Sequence, residues 1–348
     1  MGAPAGWYAN QLRHELRVRN QSYARGRAHV ESYGNPPVIV YEPEDEQHGN
    51  FFAPAYKAIV SRLEWARRFD KVHSQGARSL PRQQFDPKRR WRELDSSTSS
   101  DALLMNVFCT PGVAHSASVR NALGVESSTD PEFGWKARVP FLSGRFDRTE
   151  VDMRLGSLLV EAKLTEADFQ VREARVVETY RDFDVLFDRD LLPRVELTAV
   201  RRKNAVEFPE AFSQEYESVI DATMPRDAMD ELRENSPSAI AAREFNSARL
   251  TECGYQSYQL IRNVLAAHAT GSSFCVLHDE RRPDLREEWF RVMSAVKMPD
   301  VRIRLKVLTW QELTALLPDD LQEFLDLKYG IVAPGKAPSL VASMPESD

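Results

Sequence analysis

Between Glu150 and Lys163 the chain carries two short β-rich runs, Glu150 to Leu155 and Leu158 to Lys163, joined only by Gly156-Ser157. Glycine at the first central position of a two-residue loop marks a type II′ turn, so the segment predicts a β-hairpin. The loop sets the register. With Leu155 opposite Leu158, Met153 faces Val160, Asp152 faces Glu161 and Glu150 faces Lys163. Side chains alternate across a strand, so Glu150, Asp152, Glu161 and Lys163 share one face, while Val151, Met153, Val160 and Ala162 share the other and can enter a core. Two carboxylates set directly opposite each other repel. A cation between them removes the repulsion, and hard oxygen donors suit Mg²⁺ or Mn²⁺ rather than zinc.

The plainer alternative is a surface hairpin with a solvated charged face. That arrangement favours mixed Lys–Glu pairs throughout, and it does not call for the apolar run Leu158-Leu159-Val160, which is the pattern of a strand buried on both sides.

Asp152, then a hairpin, then Glu161-Ala162-Lys163 resembles the PD-(D/E)XK, or restriction-endonuclease-like, phosphodiesterase superfamily; the proline of the motif name is absent and Val151 precedes the aspartate. The phrases from Trp91 to Ser96, Ser99 to Phe108, Glu161 to Glu166 and Val307 to Trp310 resemble a poorly characterised bacterial group of restriction endonucleases, over roughly residues 50 to 332. The resemblance implies an α/β restriction-endonuclease-like core, a mixed β-sheet flanked by helices. It also implies Asp152 and Glu161 as metal ligands and Lys163 as the residue that holds the attacking water and the phosphate. Two further roles come from the residues themselves. The backbone carbonyl of Ala162 is a third metal ligand, because its side chain points to the core; Glu150, beside Lys163 by register, either binds a second ion through water, tunes that lysine, or only pairs with it.

At 348 residues the chain is long enough to bury a substantial core. With 28% charged and 42% hydrophobic residues it reads as globular over most of its length. Cys109, Cys253 and Cys275 have no CxxC spacing and leave one over, which argues against a disulfide framework and fits a reducing cytoplasm. No apolar run approaches the ~18 residues of a membrane span, and Met1 to Trp7 lacks the regions of a signal peptide. Expected location is therefore cytoplasmic. A net charge of −6 is unlike a general nucleic-acid coat, so contact with DNA has to come from local patches. The first candidate is Arg78, Arg82, Lys88, Arg89 and Arg90 with Arg92; Arg201-Arg202-Lys203-Asn204 and the alternating Arg302, Arg304 and Lys306 are two others, and each reads equally as a solvated face.

Three regions follow from composition and periodicity: an N-terminal, mostly helical and basic extension over 1–95, a nuclease core over 96–332, and a Pro-, Ala- and Ser-rich disordered tail over 333–348. Within them, residues 8–32 predict a helix and a break, and Tyr56 to Phe69 an amphipathic helix. Ser99 or Ser100 caps a helix running to Phe108, and Thr165 to Asp168 reads as a capping box opening a helix through Tyr180. Ser247 to His268 predicts a long helix, Phe274 to Leu277 a buried strand, Val301 to Leu308 another, and Trp310 to Leu327 a last helix. Residues 211–233 are acidic and uninformative.

Hydrolysis of a phosphodiester requires neutralised phosphate charge, an activated water and a stabilised leaving oxygen, all of which a divalent ion supplies. Around that centre Gln259 is a candidate supporting residue on the long helix. His278-Asp279-Glu280 reads as turn residues rather than a cluster, His73 as a packed histidine, and Glu93 or Asp95 as an outside source of one more carboxylate. No glycine-rich phosphate loop and no GxSxG motif is present. The expectation is a Mg²⁺- or Mn²⁺-dependent endodeoxyribonuclease of restriction or anti-phage defence. The alternatives are the same chemistry on structured DNA or RNA or as a nickase, and a DNA-binding module that has lost catalysis. Cleavage of both strands by one centre per chain calls for a homodimer with two-fold symmetry.

Overall fold

The structure, a computed structural model, describes residues 6–32, 35–71, 92–197, 252–337 and 339. At its centre lie β1 (Glu132–Lys136), β2 (Glu150–Leu155), β3 (Leu158–Ala162), β4 (Ser273–His278) and β5 (Leu305–Thr309). They form one mixed sheet in the order β5-β4-β3-β2-β1. The first three strands are antiparallel neighbours, and β3, β4 and β5 run parallel. The hairpin has the expected register, Leu155 with Leu158, Arg154 with Leu159 and Met153 with Val160. Gly156 has φ +58°, the left-handed value its turn position needs, and Ser157 does not.

Helices cover both faces, as the buried run of β3 requires. One layer holds α1 (Trp7–Tyr23), α2 (Ser100–Phe108) and α5 (Asp319–Tyr329), whose Leu12, Leu16, Leu104, Val107, Phe324 and Leu325 pack with Leu158, Val160 and Ala162. The other holds α3 (Tyr258–Thr270) and α4 (Pro283–Ser294), whose Ile261, Val264, Trp289 and Val292 pack with Leu159, Phe274 and Val276. The parallel crossovers explain the layer: α3 lies on the path from β3 to β4, and α4 on the path from β4 to β5. This is a mixed α/β fold with helices on both faces of a mixed sheet. Ser99 caps α2 by accepting from the Ala102 N–H, as its position before the apolar run implies.

Several elements differ from the sequence reading. The Thr165 to Tyr180 helix is absent; only Ala174–Val177 is helical, because Glu166 turns back to accept from Leu164 N–H at 2.7 Å and from Ser100 Oγ at 2.5 Å instead of capping a turn. The helix expected from Ser247 begins at Tyr258, and Glu252–Tyr255 is a strand between 172–173 and 194–197. Arg62, in extended conformation, divides the helix expected over 56–69. A helical turn, Pro299–Arg302, precedes β5, and Pro318 separates α5 from Trp310–Thr314. Val151 joins the α3 side together with its pairing partner Trp135, whereas Met153 and Phe133 pack on the α2 side. The change falls where Gly134, at φ +63°, interrupts the β1–β2 ladder opposite Asp152.

Candidate active site

The β2–β3 ladder stops at Met153 and Val160. Below that point β2 remains paired with β1 through Val151 and Glu150, while β3 remains paired with β4 through Glu161 and Ala162. The two strands therefore part, and Asp152, Glu161 and Lys163 stand at the parting. One Asp152 oxygen, Oδ2, accepts from the Ala162 N–H at 2.8 Å, so the carboxylate does the work a strand carbonyl would have done. Glu161 is 1% exposed and Lys163 5% exposed, and they are joined by a 2.8 Å Nζ–Oε1 ion pair. The other Glu161 oxygen accepts from Asn263 Nδ2 on α3 at 2.7 Å. Lys163 itself is anchored at both ends of its peptide: its N–H donates to Leu277 O at 2.8 Å, and its carbonyl accepts from Trp310 Nε1 at 3.1 Å.

Burial, and then the negative charge of Glu161 and of Asp101, raise the Asp152 pKa well above the ordinary carboxylate range. Burial lowers the Lys163 pKa, but Glu161, Glu166 and Asp152 outweigh it and the pKa is raised, so the side chain stays a cation.

Glu150 is not where register alone put it. Its carboxylate pairs with Arg68 at 3.0 Å instead of facing Lys163, because Arg68 fills the space over Gly134 that any side chain there would occupy. Arg68 also reaches Asp101 at 2.8 Å, and Lys71 bridges Asp101 and Glu93 at 3.0 Å each. Burial opposes ionisation of Asp101, yet Lys71 and Arg68 overcome it and hold its pKa below the usual value. Burial, and then Asp101, push Glu93 upward. Glu93 thus adjoins the site, while Asp95 is engaged elsewhere by His48 and Arg92.

Asn263, not Gln259, is the α3 residue that meets Glu161; Gln259 is held by its backbone, its N–H donating to Phe169 O at 3.0 Å. Asn263 is in turn fixed by Arg262, which is buried and also donates to Glu150 O at 2.9 Å. The sequence carried a usable signal for these two: a polar Arg-Asn step inside an apolar helix stretch needs buried partners. Asp101 had the same kind of signal in the first turn of α2. Arg68 and Lys71 had none, since their role depends on the packing of a distant segment. Asn263→Leu would leave Glu161 Oε2 without its donor, and an activity or metal affinity about 10–100-fold below wild type is expected; titration calorimetry with Mn²⁺ checks it, and an unchanged isotherm contradicts the supporting role.

The basic candidates fare differently. Arg78, Arg82, Lys88, Arg89 and Arg90, with His73, lie outside the described residues, as do 201–204, 211–233 and, of the expected tail, 338 and 340–348. Arg302, Arg304 and Lys306 do not line a strand face: they bond the carbonyls of Val296, Ser272 and Leu123. His278 is buried, its ring bonded to Asp279 O, and Asp279 pairs with Arg281, which matches a turn.

Among the described residues no group of three or more His, Cys, Asp and Glu side chains stands together as a metal cage. Asp152 and Glu161 nevertheless fit a hard divalent cation: burial and the nearby Glu161 charge disfavour ionised Asp152, and ions such as Mg²⁺ take one or two carboxylates and complete their shell with water and phosphate oxygens.

A mixed sheet carrying a buried glutamate, a partly buried aspartate and a lysine at a strand parting is an arrangement suited to phosphate chemistry. A family model described as "Restriction Endonuclease associating with ARP" matches residues 10–330, and the chain belongs to that family. No curated protein and no solved structure matches it. Among the described residues no helix is long and apolar enough to cross a membrane.

Proposed function

We propose that this protein is a metal-dependent endonuclease of the PD-(D/E)XK type that hydrolyses DNA phosphodiester bonds in restriction or anti-phage defence. The observation that carries the reading is the convergence of Asp152, Glu161 and Lys163 where β2 and β3 part, in a chain of a restriction endonuclease family. Asp152 and Glu161, with the Ala162 carbonyl, would hold Mg²⁺ or Mn²⁺. A bound ion of that kind neutralises phosphate charge, makes water acidic and steadies the leaving oxygen.

The remaining roles belong to the chain. Ala162 N–H fixes one Asp152 oxygen and leaves the other for a cation, which would favour the ionised carboxylate that burial and Glu161 disfavour. Lys163 stays charged, so it acts as a fixed positive donor to the attacking water and the phosphate and not as the base. Asn263 holds the Glu161 carboxylate in place. The family description supplies a partner, ARP, and the reading makes this chain the cutting member of that association. Double-strand cleavage would bring two such centres together in a two-fold dimer.

The test is incubation of supercoiled plasmid with Mg²⁺, Mn²⁺ or EDTA, using wild type and Lys163→Ala. Nicked or linear product only with metal, and a rate at least roughly 10²-fold lower in the variant, is expected. No product in any metal while DNA binding persists would overturn the nuclease reading in favour of a binding module.

A further inference from the structure

We propose that the partly exposed flank of α1, through Arg13 and Arg17, is a docking surface for the phosphate backbone of double-stranded DNA beside the candidate site. The proposal rests on the nuclease reading for its substrate, and on separate residues for its evidence. α1 lies over the loops that leave the C-terminal ends of β3 and β4. Arg13 Nη2 donates to Thr165 O at 2.7 Å, two residues past Lys163, and Glu15 pairs with Arg281 at 2.5 Å, just past β4. A third tie, from Arg19 Nη1 to Asp326 O at 2.9 Å, joins α1 to α5. Leu12 and Leu16 face the core, which puts Arg13 and Arg17 on the flank of the helix, partly buried and partly open to solvent.

The two arginines differ from their neighbours in what they bond. Arg19 and Arg281 have carboxylate partners. Arg13 has only neutral acceptors, Asn10 Oδ1 and Thr165 O, each at 2.7 Å. Arg17 has the Pro36 carbonyl at 3.5 Å, and its Nε is buried without a partner. Among the described residues neither makes a carboxylate ion pair. They stand one helical turn apart, close enough that each is subject to like charge: burial and then Arg282 lower the Arg13 pKa against the opposing charge of Glu166, and burial and then Arg13 lower that of Arg17. Folding has placed two guanidinium groups without a direct carboxylate partner side by side, one of them tethered to the loop that follows Lys163. Phosphate oxygens supply an anionic partner, and guanidinium groups bind them with two parallel hydrogen bonds. In a chain of net charge −6, a local pair of this kind is what DNA contact requires.

The experiment measures binding of a fluorescein-labelled 30-base-pair duplex in EDTA across a salt series, for wild type, R13Q/R17Q, R13K/R17K and R17Q. Loss of two phosphate contacts lowers the slope of log K against log salt by about 1.8, with about 60-fold weaker binding near 0.1 M salt; R17Q alone lowers the slope by about 0.9 and R13K/R17K leaves it unchanged. R17Q serves should the double variant fail to fold, since Arg17 gives up only one long hydrogen bond. A wild-type slope retained in folded R13Q/R17Q or R17Q overturns the proposal, as does a wild type that does not bind the duplex. Plasmid cleavage by wild type is scored separately. Cleavage with an unchanged slope removes the surface and leaves the nuclease, whereas a lowered slope without cleavage keeps the surface and removes the nuclease.

Discussion

Asp152→Asn is expected to abolish cleavage and at the same time to stabilise the metal-free protein. The acceptor for Ala162 N–H survives in asparagine, so the backbone at the strand parting is kept. What disappears is a carboxyl group whose ionised form is disfavoured by burial and by Glu161. The sign follows from linkage. A raised folded-state pKa means that the native form binds the extra proton, so stability is complete below the ordinary carboxylate value of about 4 and is lost as pH rises through the folded value. Wild type loses that stability and the asparagine variant does not. The difference in Tm between them should be near zero at about pH 4 and widen upward, by roughly 2 °C for each kcal/mol recovered in a chain of this size. Asp101 works in the opposite direction: its depressed pKa stabilises above the ordinary value and is lost on acidification, in both proteins alike. Thermal melts in EDTA from pH 4 to 8, with plasmid cleavage in Mg²⁺, check both effects. A hairpin whose charges are incidental predicts unchanged cleavage, and that result would remove Asp152 from the site.

The second large effect is expected at Arg282, which is fully buried. Its guanidinium donates to the carbonyls of Leu164, Glu166 and Ala167 at 2.7 to 3.2 Å and pairs with Asp284 at 2.8 Å. It therefore holds, from the start of α4, the loop that follows Lys163. Arg282→Met strips three buried acceptors and one carboxylate of their partner, a loss of about 3–5 kcal/mol. A fall in Tm of roughly 6–10 °C follows at the same scale, together with slower cleavage below the new melting point, since Lys163 loses the loop that anchors it. A melt within 1 °C of wild type would show that the loop is held by other contacts.

The parts of this molecule that local chemistry dictates were legible. Gly156-Ser157 allows one tight turn, and that turn fixed which residues of β2 and β3 stand opposite each other up to Met153 and Val160. Ser99 before an apolar stretch and the β-rich Phe274 to Leu277 run were equally readable. Two of the misreadings come from competition by residues far along the chain, whereas Arg62 and Pro318 divide helices locally. Glu166 would cap a helix if Ser100 did not attract it, and Glu252–Tyr255 would continue a helix if two short strands did not pair with it. In the site, Asp152, Glu161 and Lys163 lie within one hairpin and could be found from it. Arg68, Asp101 and Asn263 come from three other elements, and no spacing in the sequence joins them. Glu150 illustrates the boundary: its strand position was right, and its partner was set by Arg68, 82 residues away.

The pairing of α1 with α5 has a consequence for how the protein is made. Arg19 meets Asp326 across 307 positions, and Leu12 and Leu16 share a core with Phe324, Leu325 and Tyr329. α1 can meet α2 and β3 early, but the part of its surface that α5 covers stays open until the 307 further residues from Arg19 to Asp326 have been made. At roughly 5–20 residues per second, α1 waits tens of seconds for its partner. During that interval α1, and with it the Arg13 tie to the Thr165 carbonyl beyond Lys163, is held without the cover of α5, so the last packing step of this layer also steadies the loop beside the site.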